Sequence, residues 1–104
     1  MIRHGFAALA TVALTAGMAQ GAPPARTMYT DALAREETVR VDLGSDTTSS
    51  ATLREARAVV AAYEALVREY PASGYSDNAL WQAGRLSLDV FARFGQAQDR
   101  DRGV

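Results

Sequence analysis

Few residues in this 104-residue chain could do chemistry: one histidine, no cysteine and twelve acidic side chains. Without cysteine there is no thiolate nucleophile, no disulfide and no thiolate-held metal. The single histidine, His4, sits in the basic start of an apolar leader and reads as part of that leader, not as a ligand or base. Ser73 lies in a turn, yet a nucleophilic serine needs a base to take its proton, and no histidine follows residue 4. Glu36 and Glu37 could pair as acid and base. Helix neighbours diverge by about 100°, and arginines lie close to both, so the pair reads as a solvated face. Asp99-Arg-Asp-Arg102 alternates charge like part of a calcium loop. It lacks the spaced oxygens and closing glutamate, and reads as a solvated charge cluster.

What remains is aromatic: Tyr63, Tyr70, Tyr75, Trp81, Phe91 and Phe94. Aromatics at helical spacing usually fill a core. Those left uncovered would form a face for partner binding or for packing of a further repeat. No catalytic, cofactor-binding or metal-ligating residue is expected in the chain. The formal charge of −1 gives no basic excess for nucleic acid or an anionic membrane. The expected partner is a protein or peptide, or a C-terminal domain not contained in these residues.

The elements that must position these residues are helices. Residues 1–19 have the form of a secretory signal peptide: Arg3 in the n-region, an apolar run from Gly5 to Ala16, and small residues at Gly17 and Ala19. The apolar run is shorter than the ~20 residues needed to span a bilayer, so no membrane span is expected after cleavage. A lipid anchor has no cysteine to carry it. Removing the leader leaves about 85 residues, one small domain. All the basic residues are arginine, which with the alanine richness points to a GC-rich bacterial coding sequence. Export without cysteine fits the periplasm or envelope of a bacterium.

Residues 20–26 read as a linker around Pro23-Pro24. A first helix follows from Thr27 through Tyr29, Leu33, Val39 and Leu43. It is the weakest of three, because Glu36 interrupts its apolar stripe. Asp31–Arg35 and Glu36–Arg40 have the spacing of exposed helix pairs. Residues 44–50 are a polar loop. The second helix opens on a capping box, Thr52 with Glu55. It repeats Leu53, Ala56, Val60, Tyr63, Val67 and Tyr70 at three-four spacing, carries Glu64–Arg68 outside, and stops at Pro71. A turn leads to a third helix capped by Ser76 and closed by Gly95. Its apolar residues lie on more than one face, as in the middle layer of a helical stack. Residues 96–104 hold too few apolar side chains for a buried helix, and read as a polar tail or the start of a further repeat. No strand pattern is present, so the chain is expected to be all-α.

Tyr63-x-x-Leu66-x-x-x-Tyr70-Pro71-x-Ser73-x-Tyr75, then Ala79-Leu80-Trp81-x-x-Gly84, Phe91 and Gly95 resembles the tetratricopeptide repeats of bacterial envelope proteins. The resemblance covers about half of the chain after the leader and implies an antiparallel helix–turn–helix. It makes Pro71 the boundary proline, Tyr63 and Leu66 packing residues of one helix, and Leu80, Trp81 and Gly84 residues of the next. The phrase from Tyr70 to Gln82 is also similar to the helical-repeat region that precedes the catalytic domain of exported N-acetylmuramoyl-L-alanine amidases. Those are zinc enzymes acting on peptidoglycan, and their His/Glu zinc chemistry has no counterpart in these residues. Two expectations follow. One is an exported, non-catalytic helical-repeat interaction module of the cell envelope. The alternative is the N-terminal fragment of such an amidase, with the chain truncated at Val104.

Overall fold

The computed structural model describes residues 21–104, so the leader and His4 lie outside the described residues. The described chain is all-α, about four-fifths helical and without strands. It has four helices where the sequence pattern predicts three: α1 (Ala25–Leu43), α2 (Ser50–Glu69), α3 (Gly74–Phe94) and α4 (Ala97–Gly103). Contacts between helices fix their directions. Tyr70, closing α2, donates from its phenol to the Pro23 carbonyl just before α1 (2.6 Å), and Arg35 of α1 reaches Glu55 early in α2 (2.6 Å). α1 and α2 are therefore antiparallel. Tyr29 stacks near Tyr75 at 5.5 Å, and Arg40 bonds Asp89 at 2.7 Å, so α1 and α3 run the same way.

The core lies among α1, α2 and α3. Ala32 and Val39 come from α1; Leu53, Ala56, Val59, Val60, Tyr63 and Leu66 from α2; Ala79, Ala83, Leu86 and Val90 from α3. The three-four spacing of α2 aims its buried residues at both neighbours, since Val59 and Leu66 widen the stripe. Each fully buried leucine or valine contributes about 1.5–3 kcal/mol. α4 supplies none of this core.

Several boundaries differ from the sequence reading, each for a local reason. The first helix starts at Ala25 behind Pro24, not at Thr27, so Ala25 and Arg26 leave the expected linker and join α1. A proline tolerates that place because its missing N–H has no partner at a helix start. The cap of α2 is Ser49, and Thr52 is buried inside the first turn without a capping bond. The cap of α3 is Ser73, whose hydroxyl accepts from the Tyr75 N–H at 3.1 Å. Ser76 is instead buried, donating to the Tyr70 carbonyl across the turn. Two predictions hold: α2 stops at Glu69 before Pro71, and Gly95 closes α3 in the left-handed conformation at φ 75°.

Residues 97–103 form a helix that polarity alone argued against. Its buried side chain is Asp99, at 2% exposure. Arg57 of α2 grips that carboxylate with two hydrogen bonds, 2.9 and 2.8 Å, and reaches the Gln96 amide oxygen at 2.8 Å. Glu64 pairs with Arg102 and not, as its spacing suggests, with Arg68. The expected solvated cluster at 99–102 is thus an interhelical clasp.

Candidate functional site

Among the described residues, the candidates beside the α4 clasp are a buried polar network under α1 and an open face on α3. Glu36 reads as solvated from its spacing to Arg40, yet it is 3% exposed. It occupies the same stripe as Ala32 and Val39, so the register of α1 carries it inward. Its carboxylate accepts from the Tyr63 hydroxyl at 2.6 Å and from Arg40 Nε at 2.6 Å. Arg40 Nη1 continues to Asp89 on α3. Glu37 stays exposed. The one part of the sequence reading that holds here is the Glu36–Arg40 pair itself.

Electrostatics follow from this packing. Burial, then the bond to the Glu36 carboxylate, pushes the Tyr63 phenol far above its ordinary range. Desolvation pulls the Arg40 guanidinium down, but its bonds to Asp89 and Glu36 outweigh that and hold it above the usual arginine value. Glu36 and Tyr63 are buried between the helices, while Asp89 reaches the open face on α3. The network ties three helices together and satisfies a carboxylate that burial would otherwise make costly.

The open face is a groove of about 380 Å³ lined by Leu80, Trp81, Gly84, Arg85, Leu88, Asp89 and Gly103. Leu80 is 59% exposed and Trp81 62%. The Arg85 guanidinium sits 5.2 Å from the centre of the Trp81 ring. At the head of the groove α3 and α4 meet almost backbone to backbone. A Cβ on Gly103 would lie 2.6 Å from Leu88 Cγ and 2.9 Å from the Gly84 carbonyl oxygen. A second depression, about 320 Å³, lies at the α1–α2 loop. It is lined by the hydroxyls of Ser45, Thr47, Ser49 and Thr52 with the carboxylates of Asp42 and Glu55, and Glu55 is held by Arg35.

The six aromatics are not brought together as one face. Tyr63 is fully buried, with Tyr29 at 6.1 Å. Tyr75 covers Tyr29, and Tyr70 binds Pro23. Phe94 packs on the core, while Phe91 lies beneath Arg100 at 5.7 Å. Only Trp81 lines the groove. The other lining residues carried one sequence signal: α3 is apolar on more sides than a single neighbour could cover. Among the described residues no cluster of three or more His, Cys, Asp or Glu could hold a metal. No helix there is long and apolar enough to cross a membrane. Comparison with protein-family models, curated proteins and solved structures finds no match to this chain.

Proposed function

We propose that the chain is an exported, non-catalytic interaction module of the bacterial envelope, built on tetratricopeptide-type helix pairs. Its groove on α3 receives an amphipathic helix of a protein partner. One observation carries this reading. α4 runs back along α3 until Gly103 meets Gly84, and Leu80 and Trp81 lie one turn further along the same track, uncovered. The track already holds one helix, and its continuation is apolar, with Arg85 and Asp89 at the edge to orient a second. The α2–turn–α3 pairing at Pro71 and the close approach at Gly84 support the repeat-type reading. The partner helix would set apolar side chains three or four residues apart over Leu80 and Trp81, as grooves of this kind require.

Site-directed photocrosslinking in the exporting bacterium tests this. A photoreactive phenylalanine at position 81 should give a discrete adduct whose linked peptide is helical and amphipathic, while the same residue at exposed Arg54 gives none. Identical adducts from both positions, or none from 81, would refute the reading. The amidase alternative rests on the Tyr70–Gln82 phrase and has its own test. It requires an open reading frame past the Val104 codon into a domain bearing zinc-ligand histidines, and a stop codon there removes it.

A further inference from the structure

We propose that α4 is a releasable strap, held by ionic bonds over the upper half of the α3 groove, and that its release lengthens the apolar docking track while α1–α3 stay folded. This deepens the docking reading above and rests on it for its purpose, though not for its test. Three observations carry it.

The polar bonds that hold α4 all run through arginine. Its seven residues, Ala-Gln-Asp-Arg-Asp-Arg-Gly, include no large apolar side chain, and none joins the core. A helix this short has no stability of its own. Its attachment is the pair of hydrogen bonds from Arg57 to Asp99, the Arg57–Gln96 bond, the Arg102–Glu64 pair, the Arg100 contact with Phe91 and the close seat of Gly103 on Leu88. Of these, only Arg57–Asp99 buries a charge, because the Asp99 side chain is 3% exposed. Removing one partner of such a pair is severe, since the other is left uncompensated.

α4 is also joined to α3 at a single point of freedom. Gly95 stands at φ 75°, with nothing within 4 Å of where a Cβ would be. Only the N-cap Gln96 separates it from the strap. Rotation there swings α4 without disturbing Val90 or Leu86 below.

What α4 covers is more of the face it borders. Gly103 seats against the Leu88 side chain, and Arg100 lies over Phe91. With the strap away, Leu80, Trp81, Gly84, Leu88 and Phe91 form one continuous stripe along α3. A stripe of that length takes a helix of several turns, where the closed form exposes Leu80, Trp81 and part of Leu88 and keeps Phe91 under Arg100.

The chain contains one tryptophan and no cysteine, so the experiment can use the whole protein with two unique probes. Val104→Cys, at a fully exposed position, is labelled with dansyl, and energy transfer from Trp81 reports the closed strap. In Asp99→Asn and in Arg57→Gln, transfer should fall by roughly half. Helix content at 222 nm should stay close to that of the parent. Raising salt from about 0.02 M to about 1 M should move the parent in the same direction by a smaller amount. Arg35→Gln, which breaks the exposed Arg35–Glu55 pair, should leave transfer unchanged. Transfer that is unmoved in both variants overturns the proposal. So does transfer lost only along with the helix signal, which would make α4 part of the cooperative core. A missing crosslink at position 81 would end the docking reading and leave this measurement untouched.

Discussion

Tyr63 on α2 donates its hydroxyl proton to Glu36 on α1 across 2.6 Å, and both side chains are buried. This bond decides what kind of residue Glu36 is. A carboxylate facing water needs no partner, whereas a buried one needs donors for its oxygens. Oε1 has Tyr63, and Oε2 has Arg40.

Tyr63→Phe should therefore destabilise the fold by more than an ordinary hydrogen-bond deletion. The ring keeps its packing, but Glu36 loses a donor in a place water does not reach. The expected cost is ~1–3 kcal/mol, or a fall in Tm of roughly 5–15 °C for a domain of this size. Thermal melts followed by circular dichroism would measure it. A Tm within a degree of the parent would mean that water replaces the phenol.

Alkaline stability should carry the signature of the same bond. The folded Tyr63 phenol titrates far above its unfolded value of about 10, because burial and then Glu36 disfavour the phenolate. Its contribution is fully present below about pH 10 and is lost as pH rises above that value toward the folded pKa. Lysine is absent from the sequence, so no lysine ammonium titrates in this window. Denaturant midpoints should fall steeply above pH 10 in the parent and less steeply in Tyr63→Phe. Parallel curves would show that the Tyr63 phenol does not carry the alkaline loss.

Trp81→Ala should do the reverse of Tyr63→Phe. The ring is mostly in solvent, so its loss should change stability by no more than ~0.5 kcal/mol. Crosslinking from a photoreactive residue at the neighbouring position 80 should nonetheless collapse. A large drop in Tm would show that Trp81 serves the fold and not a partner.

Gly95→Ala and Gly103→Ala should separate the hinge from the seat. At Gly95 the cost is conformational, about 1 kcal/mol for a residue with a Cβ at positive φ. At Gly103 the new methyl meets Leu88 and the Gly84 carbonyl. There α4 should lift from α3 while the main melting transition stays in place. Amide exchange resolved by NMR would distinguish the two.

The helices of the core were legible in the residues themselves. Spacing along α2, the proline after Tyr70 and the glycine at 95 act within one or two turns, and local patterns report local causes. The ties between helices were not legible. Glu36 and Tyr63 are 27 residues apart, and Arg57 and Asp99 are 42 apart. Glu36 even has a nearby arginine that disguises it as a surface residue. One clue was present, since a charge standing in the stripe of Ala32 and Val39 demands a partner inside. Asp99 gave no such clue, because α4 has no apolar stripe for it to interrupt. At the candidate site, Trp81 was found and Leu88 was not. Which of α3's apolar sides stays open depends on where α4 stops.

Among the described residues, the cations in the interhelical ion pairs are all guanidinium groups: Arg35, Arg40, Arg57 and Arg102. Acyl transfer, the usual enzymatic means of silencing a basic side chain, acts on amines and finds no lysine to modify. Amine-reactive labels and crosslinkers likewise pass these contacts by. The joints of this molecule can be loosened through their carboxylate halves, or through a competing anion, but acetylation cannot reach them.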